Sequence, residues 1–333
     1  MDAEQTLLIT GATGMIGSSL ARQILKEGTP CRIILPVRDM GKAEELYRRL
    51  GKADKEKLLF MEMGLEDMGA EGFPMSIDYI LHCACVTQSA QMVAHPVETA
   101  DSIVMGTKNV LELARKKQVK SMVYLSSMEV YGAVEDTGEL VREEQLGAID
   151  LRSPRSCYPA GKRMAEHYCH IYYQEYKVPV KIARLAQTFG KGVSLKDNRV
   201  YMQFARAAYE GRNIVLKTMG NSMGNYCAIE DAVEGIFTIL HRGKDGEAYN
   251  VVNEASTMRI RDMAELVARK MAGGRITVKV DMENSDQISY APDTGLRLSG
   301  EKLRKLGWMP KKDLEEMYKD VIRELGNIIS PSS

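Results

Sequence analysis

The sequence predicts an α/β fold, in which a doubly wound parallel sheet is followed by a smaller C-terminal region. Short aliphatic runs alternate with helix-length segments, each run is apolar throughout, and a glycine-rich turn follows the first run. Strands that are buried on both faces of a parallel sheet read as such continuous apolar runs. The six runs are TLLIT, RIILPV, LLFMEM, DYILHCA, SMVYLS and VKIARL.

Two long helices are predicted among these strands, over Thr99 to Lys117 and over Tyr158 to Tyr176. In both segments apolar side chains recur at intervals of three and four residues, which is the spacing of one helix face. Such amphipathic faces can also pair two copies of the chain, so we expect a homodimer.

The second half of the chain follows a looser pattern from about Phe189 onward. We predict a helix near Arg199 to Tyr209, a strand in NIVLKT, a helix around Ile229 to Leu240, a strand in ITVKV and a last amphipathic helix after the turn LGWMP. Internal repeats and low-complexity linkers are not visible in the sequence.

Composition excludes several classes of function. The chain has 45 basic and 45 acidic residues and a formal net charge of zero, so it has no broad positive field for a nucleic acid or an anionic membrane. Its apolar runs are shorter than the roughly 18 residues that a spanning helix needs, and its start does not resemble a signal peptide. The six cysteines lack the paired CxxC spacing of a metal site. We therefore expect a cytoplasmic protein with free thiols, no metal and a small-molecule partner.

The first strand leads directly into TGATGMIG, residues 10–17, which opens the next helix. Glycines at a strand-to-helix turn allow a tight bend, so that a pyrophosphate can lie on the free N–H groups of the helix N-terminus. This position, at the start of a βαβ unit, predicts a Rossmann-type dinucleotide-binding site. The expected cofactor-binding residues of this turn are Gly11, Thr13, Gly14, Met15, Ile16 and Gly17.

The end of the second strand bears on the choice of cofactor. An acidic residue about 20 positions after the glycines would hold the ribose hydroxyls of NAD, whereas an arginine would accept the 2′-phosphate of NADP. Arg38 and Asp39 are both present, so NAD and NADP both remain open. Further along, Gly64, Leu65 and Cys83 follow the third and fourth strands, where we expect the cofactor's other contacts.

These features divide the chain into two functional regions. Residues 1–187 are expected to form the dinucleotide-binding domain, and later segments near 225–255 are expected to return to it. Residues 188–333 are expected to be mainly substrate-binding.

Two further motifs stand in order after the glycine turn: YLSSMEVYG at residues 124–132 and CYPAGKR at residues 157–163. Together with ARLAQTFG and the terminal LRKLGW they resemble the extended short-chain dehydrogenase/reductases, specifically the nucleotide-sugar epimerase, dehydratase and decarboxylase family. The resemblance covers nearly the whole chain. It implies an NAD(P)-dependent enzyme that transiently oxidises a hydroxyl of a sugar, most commonly of a nucleotide sugar.

The resemblance assigns the chemistry to Ser127, Tyr158 and Lys162. A Tyr and a Lys four positions apart share one helix face, so the ammonium can lower the pKa of the phenol and can hydrogen-bond the nicotinamide ribose. Tyr158 is then expected to act as the base towards a substrate hydroxyl, while Ser127 hydrogen-bonds the developing carbonyl.

Glu129 stands where the resembling dehydratases and decarboxylases also carry a glutamate. A carboxylate there can move a proton at the carbon next to a transient ketone, or assist the loss of carbon dioxide. A glutamate that merely caps the local backbone is the competing interpretation. Met128 occupies the place of the aspartic acid that those dehydratases use to expel water, which argues against dehydration.

The substrate-binding residues implied by the resemblance are Gln187 and Arg297. The chain departs from the family at Gly64, where an aspartate is common, and at Ile103, where an asparagine is common. Gly224 stands where members usually carry an arginine for the substrate's diphosphate. Arg297, Arg212 or Lys217 is then expected to supply the missing charge, unless the substrate is smaller than a nucleotide sugar.

Three other functions compete with this interpretation. An NADPH-dependent carbonyl reductase acting on a non-nucleotide substrate would use the same Ser127, Tyr158 and Lys162. A non-catalytic dinucleotide sensor would not need Tyr158 and Lys162 together. A serine hydrolase is suggested by residues 220–224, GNSMG, because they match G-x-S-x-G with Ser222 as the nucleophile. The hydrolase motif requires a helix directly after the serine.

Overall fold

The computed structural model of the chain describes residues 5–68, 73, 75–194, 197–282 and 294–329. Its strands are β1 Gln5–Thr10, β2 Cys31–Val37, β3 Leu58–Glu62, β4 Tyr79–His82, β5 Ser121–Ser127, β6 Val180–Leu185, β7 Gln187–Phe189, β8 Ile214–Leu216, β9 Met223–Ala228, β10 Ala248–Val251, β11 Asn253–Arg259 and β12 Val278–Val280. Its α-helices are α1 Met15–Lys26, α2 Met40–Tyr47, α3 Lys52–Glu56, α4 Ser89–Ala94, α5 Pro96–Lys117, α6 Cys157–Tyr176, α7 Val200–Glu210, α8 Ile229–Arg242, α9 Ile260–Leu266, α10 Glu301–Arg304 and α11 Leu314–Ile329.

A seven-stranded parallel sheet forms the centre of the fold. Its strand order is β10-β6-β5-β4-β1-β2-β3, so the chain starts in the middle of the sheet and winds outward in both directions. The six strands expected from the apolar runs are all present, and the predicted α/β class is confirmed. The seventh, β10, pairs with β6 from Ala248 opposite Ile182 to Val251 opposite Leu185.

The two long predicted helices are also present, as α5 and α6. They pack against each other, and Ile103 of α5 faces Gly161 of α6. Pro96 begins α5, where its missing N–H costs no helical hydrogen bond, and Gln118 ends the helix in the left-handed conformation. These helices pack on the large sheet, and α6 itself carries the motif at residues 157–163.

Two small sheets follow the large one. β11, β9 and β7 form a three-stranded sheet in which β7 runs parallel and β11 antiparallel to β9, while β8 pairs with β12. A second hydrophobic core fills this region, and aromatic rings lie at its centre. Phe189 stacks on Tyr201 with 4.3 Å between ring centroids and meets Tyr226 and Tyr318 edge-on.

None of the helices in the described parts of the chain is both long enough and apolar enough to span a bilayer.

Candidate active site

The turn after β1 is shaped by its glycines. Gly11 has a φ of 69°, and a Cβ at this position would lie only 2.8 Å from the backbone of Ala84. A Cβ on Gly17 would overlap the carbonyl oxygen of Gly11. The N–H of Gly14 donates to that same carbonyl at 2.9 Å. The backbone therefore closes into a tight turn that side chains at these positions would open.

The N-terminus of α1 faces this turn without a side-chain cap. The helix begins at Met15 after Gly14, and this N-cap glycine has no side chain that could accept a hydrogen bond from the first turn. Its N–H groups are thus available to an anion. Thr13, Met15 and Ile16 are half-buried around the turn. The arrangement fits the pyrophosphate of a dinucleotide.

Thr10 and His82 join β1 to β4 beneath the turn. The hydroxyl of Thr10 lies 2.8 Å from Nδ1 of His82 and accepts hydrogen bonds from the N–H groups of Cys83 and Ala84 at 3.1 Å. Burial and, to a lesser extent, the charge of Lys162 lower the pKa of His82 to about 3, so the imidazole is neutral. Burial raises the pKa of the Cys83 thiol. The backbone at Cys83 is therefore held in place, and its thiol stays protonated and unreactive.

The end of β2 places Arg38 and Asp39 beside each other in different roles. Arg38 is exposed. Asp39 is the N-cap of α2, and its carboxylate accepts a hydrogen bond from the N–H of Lys42 at 2.9 Å. From the sequence we expected that either residue could bind the cofactor. In the structure Asp39 stabilises the N-terminus of α2.

Gly64 and Leu65 are held against α5. The N–H of Gly64 donates to Asp67 at 3.1 Å, and Asn109 of α5 donates to the carbonyl of Leu65 at 3.0 Å. Gly106 leaves room for the Leu65 side chain, because a Cβ there would lie 2.7 Å from it. The segment after β3 is thus fixed at the carboxyl edge of the sheet.

Tyr158 lies at the start of α6 and is 7% exposed. Burial raises the pKa of its phenol well above the ordinary value, and Cys85 and Glu129 act in the same direction. A hydrogen bond with Ser127 and the charge of Arg155 oppose this rise. Ser127 ends β5, and the structure brings its side chain next to that of Tyr158.

Lys162 lies one helical turn after Tyr158 and is 3% exposed. Its Nζ donates to the carbonyl of Leu125 at 2.7 Å, lies 4.6 Å from the Tyr124 ring centroid and 5.8 Å from that of Tyr158. The spacing of Tyr158 and Lys162 led us to expect a lowered phenol pKa. The structure gives the opposite net direction, because burial of the phenol outweighs the cations around it.

Glu129 is not a free carboxylate. It forms an ion pair with Arg155, whose Nη2 lies 2.8 Å from one carboxylate oxygen and 2.9 Å from the other. The Arg155 guanidinium also lies 5.6 Å from the Tyr158 ring centroid. Its other terminal nitrogen, Nη1, is buried without a hydrogen-bond partner among the described residues. Sequence reasoning missed Arg155, although it lies only three positions before Tyr158.

A second arginine approaches the same phenol from the start of α7. Burial disfavours the charge on Arg199, but its hydrogen bond with Asp197 and the nearby Tyr201, Asp197 and Tyr158 raise its pKa overall. Arg199 and Asp197 form a close ion pair, and Tyr201 donates to Asp197 at 2.9 Å. Two guanidinium groups, those of Arg155 and Arg199, therefore lie near Tyr158, and each is paired with an acid.

The backbone that carries Ser127 and Glu129 is anchored by Arg163 of α6. Its guanidinium donates to the carbonyls of Val130 at 2.7 Å, Tyr131 at 3.3 Å and Gly147 at 2.6 Å. Arg163 thereby ties the turn after β5 to the helix of Tyr158 and Lys162.

The predicted substrate residue Gln187 and the departure at Gly224 lie on neighbouring strands of the three-stranded sheet. Gln187 begins β7, half-buried and opposite Tyr226. Gly224 lies in β9, and the hydroxyl of Tyr226 fills the space that a side chain at 224 would need. That hydroxyl is buried and has no hydrogen-bond partner among the described residues. An arginine at 224 would have to displace it.

The cations considered as replacements are engaged in ion pairs. Arg297, half-buried, contacts Asp136 at 3.2 Å, and Lys217 contacts Asp281 at 3.0 Å. Arg212 pairs with Glu210. A phosphate bound by any of them would compete with the acid that is already there.

Ser222 does not lie at a strand-to-helix turn. It directly precedes strand β9, and its carbonyl accepts the N–H of Ile260. A hydrolase nucleophile in this motif requires a helix directly after the serine, so the geometry does not support the distant alternative of a serine hydrolase.

Among the residues described by the structure, no group of three or more His, Cys, Asp or Glu side chains is arranged to hold a metal ion.

Comparison with known proteins places these features in context. A family model described as the NAD dependent epimerase/dehydratase family matches residues 7–252. UDP-glucuronic acid decarboxylase 3 of Arabidopsis thaliana is 28% identical over 315 residues, which cover 93% of this chain and 86% of the relative. dTDP-D-glucose 4,6-dehydratase of Homo sapiens is 25% identical over 325 residues, covering 95% and 88%.

Solved structures share the fold over nearly the full length. UDP-glucose 4-epimerase of Thermotoga maritima, solved with UDP-glucose, has a TM-score of 0.79 at 20% identity and covers 98% of this chain and 100% of its own. A dTDP-glucose 4,6-dehydratase of Streptomyces venezuelae, solved with NAD, has a TM-score of 0.77 at 22% identity, covering 98% and 99%.

Proposed function

The chain belongs to the NAD dependent epimerase/dehydratase family, and from this premise we propose that it modifies a nucleotide sugar by transient oxidation of a sugar hydroxyl. Epimerisation and decarboxylation are the two outcomes that the site supports best. The observation that carries the proposal is the buried Tyr158, hydrogen-bonded to Ser127 with Lys162 one turn further along α6.

The residues fit a dinucleotide, NAD or NADP. The glycine turn and the open N-terminus of α1 would hold the pyrophosphate of the dinucleotide. Arg38 and Asp39 would lie at its adenosine ribose, and Gly64, Leu65 and Cys83 would flank the dinucleotide. Tyr158 and Lys162 would lie at its nicotinamide end. When bound, the nicotinamide supplies a reversible acceptor for the hydride of the carbon that bears the reacting hydroxyl.

Tyr158 is proposed to take the proton of that hydroxyl. In the structure the phenol is protonated at neutral pH, because burial raises its pKa. The cations Lys162, Arg155 and Arg199 surround the phenol and favour its ionised form. Ser127, already within hydrogen-bond reach of Tyr158, would donate to the carbonyl oxygen as it forms. Return of the proton from Tyr158 would complete the cycle.

Glu129 and Arg155 are proposed to act at the neighbouring carbon. Loss of carbon dioxide from a carbon next to a ketone leaves an enolate, whose carbon must then take a proton from solvent water, and the Glu129 carboxylate is the group that we assign to relay it. The unpartnered Nη1 of Arg155 fits a substrate carboxylate, because a guanidinium binds carboxylates through its N–H fork. This favours decarboxylation of a sugar acid over epimerisation of a neutral sugar.

The substrate itself is proposed to be a nucleotide sugar. Support comes from the relatives, which are named for UDP-glucuronic acid and dTDP-glucose. Gln187 and Arg297 are the residues that we assign to substrate contact. With Gly224 in place of the family's arginine, Arg297 would have to leave Asp136 to reach a phosphate.

Replacement of Tyr158 by Phe tests this proposal. The purified protein is incubated with each dinucleotide and UDP-glucuronic acid, and products are followed by mass spectrometry. Tyr158→Phe is expected to lower turnover by about 10²–10⁴ while a fluorescence titration shows the dinucleotide still bound. Tyr168→Phe, on the same helix, is the matched control. A Tyr158→Phe protein with most of its rate would show that the base is wrongly assigned.

An NADPH-dependent carbonyl reductase is the second candidate, favoured by Arg38 and Gly224. The two functions differ in cofactor balance, since a decarboxylase or epimerase of this type regenerates its cofactor while a reductase oxidises it stoichiometrically. Accumulation of one NADP for each product molecule would replace the main proposal with this one.

The assembly and location are proposals as well. A homodimer is supported by apolar side chains that α5 and α6 expose, which include Val97, Met105 and Met164. Static light scattering would test it. All six cysteines are free thiols, which fits a cytoplasmic location.

The division into a dinucleotide-binding region, residues 1–187, and a substrate region, residues 188–333, also stays a proposal. The place of β10 beside β6 supports a return of residues 225–255 to the first region, whereas β9 lies in the small sheet.

A further inference from the structure

The glycine turn after β1 is held by a side chain from a different element. Tyr47, the last residue of α2, donates its hydroxyl to the carbonyl of Ala12 at 2.9 Å. Both residues are buried. Within the described residues no backbone N–H donates to this carbonyl, so the phenol is its hydrogen-bond partner. The hydroxyl of one tyrosine therefore fixes a backbone group of the turn.

The ring of Tyr47 is itself held by two neighbours. The Phe60 ring of β3 lies 5.5 Å from it, centroid to centroid, and the guanidinium of Arg22 in α1 lies 5.8 Å from its centroid. Arg22 also donates to the carbonyl of Leu46 at 2.9 Å. Because residues of α1, α2 and β3 meet here, close packing of three elements sets the position of the hydroxyl that holds the Ala12 carbonyl.

A fixed carbonyl also fixes the N–H group that follows it. The peptide bond between Ala12 and Thr13 is trans, so its C=O and N–H lie in one plane and point in opposite directions. The Ala12 carbonyl is directed at Tyr47, and the N–H of Thr13 is therefore directed away from it. Among the described residues that N–H has no hydrogen-bond partner, which leaves it available to an anion at the turn.

We propose that Tyr47 is a positioning residue for the dinucleotide: its hydroxyl orients the peptide between Ala12 and Thr13 so that the Thr13 N–H faces the pyrophosphate. The inference rests on the proposed function, because a dinucleotide must bind at the glycine turn. Tyr47 lies 35 positions after Ala12, so the glycine motif does not reveal it. Its role concerns the binding of the pyrophosphate and leaves the chemistry at Tyr158 to other residues.

Removal of the hydroxyl alone tests the proposal. Tyr47→Phe keeps the ring and removes only the donor to Ala12. The matched control is Tyr249→Phe: this buried tyrosine lies in β10, at the opposite edge of the large sheet from β3, and its hydroxyl accepts the N–H of Lys244 at 2.9 Å. A second control, Phe60→Leu, loosens the packing of the Tyr47 ring and retains its hydroxyl.

Three ligands are titrated against the full chain of each protein. The first is whichever of NADH and NADPH the wild type binds more tightly, followed by its fluorescence, and the others are ADP and adenosine, measured by competition with it. ADP carries the pyrophosphate, whereas adenosine does not. Tyr47→Phe is expected to weaken the binding of the dinucleotide and of ADP by about 3- to 10-fold, the usual net worth of one hydrogen bond, and to leave adenosine unchanged. Tyr249→Phe and Phe60→Leu should leave all three affinities unchanged.

Other results would overturn the inference. Equal affinities of the wild type and Tyr47→Phe would do so, as would an equal loss for adenosine or the same loss in Phe60→Leu. A Tyr47→Phe protein that fails to fold by circular dichroism would show that the tyrosine supports the fold as a whole. Each of these results would leave the proposed function standing. If the wild type bound neither NADH nor NADPH, the proposed function would fall together with the inference.

Discussion

At the scale of single residues, the ion pair between Glu129 and Arg155 changes how the proposed chemistry is understood. A carboxylate expected to act alone is held by a guanidinium that also faces Tyr158. Breaking the pair would free the Glu129 carboxylate for the proposed proton transfer, and a substrate carboxylate on Nη1 of Arg155 would supply the replacement anion. Arg155 thus links the two carboxylates of the proposed reaction.

Arg155→Gln is predicted to uncouple the two steps of the proposed reaction. Oxidation of the hydroxyl depends on Tyr158, beside which Lys162 and Arg199 remain, and should slow less than the release of carbon dioxide. That release should slow by about 10- to 100-fold, because a charge-assisted contact is lost. Stopped-flow absorbance of the reduced nicotinamide measures the first step, and trapped carbon dioxide measures the second. The control is Arg152→Gln, at an exposed arginine paired with Asp150. Equal slowing of both steps would contradict this role.

Sequence reasoning found the site residues whose positions are set by neighbours close in the sequence, and it missed those that depend on contacts between distant positions. The glycine turn and Tyr158 with Lys162 are visible because their geometry is set within one turn or one helix. The Arg155 contact joins residues 26 positions apart on different elements, so no spacing rule reveals it. The cap formed by Asp39 had a local signal, an aspartate just before a helix, which we interpreted as a ribose ligand.

At the scale of elements, a buried ion pair joins α6 to β6. Arg184 donates to Glu166 through two nitrogens, and both side chains are less than 10% exposed. Arg184 also donates to the hydroxyl of Tyr131 and to the carbonyl of Glu143. The helix of Tyr158 is thus tied to the sheet and to the loop beyond β5.

Arg184→Met is predicted to lower the free energy of unfolding by about 3–5 kcal/mol, because it leaves the buried Glu166 without its partner. The double variant with Glu166→Met should recover part of that loss, since no buried charge then remains. Urea denaturation measures the wild type, the single variants Arg184→Met and Glu166→Met, and the double variant. Arg152→Met, at an exposed pair, should change stability by less than about 0.5 kcal/mol. A double variant less stable than the sum of the single losses would contradict this account.

Element boundaries were predicted best where the hydrophobic pattern was strongest. The strands of the large sheet and the helices α5 and α6 match within a few residues, because their apolar periodicity is set by burial. β10 could not be assigned as a strand from AYNV alone, since its place depends on pairing with β6 over 60 residues away in sequence. The small sheets depend on such long-range pairing throughout.

At the scale of the whole molecule, buried phenols give the protein a pH limit on the alkaline side. Burial raises the pKa of Tyr131 to about 12, and it raises the pKa values of several others. They are Tyr47, Tyr124, Tyr158, Tyr201, Tyr226 and Tyr318. The native state keeps these protons at a pH where the unfolded chain has lost them.

Stability is therefore predicted to be insensitive to these groups below about pH 10 and to fall above it, because unfolding then releases protons. Each phenol contributes up to about 1.4 kcal/mol per pH unit in that range. Urea denaturation between about pH 8 and pH 11 measures the decline, and tyrosinate absorbance of the native protein should lag behind that of the unfolded chain. Constant stability across this range would contradict the burial of the phenols.

The path of the chain has a consequence for its modularity. It leaves the large sheet after β6, comes back through α8 and β10, and leaves again into β11. A fragment cut after residue 187 would lose β10 and would leave β6 as an unpaired edge, without the helix α8 that packs on it. Gene fusion or recombination at that junction is therefore not expected to transplant a stable half.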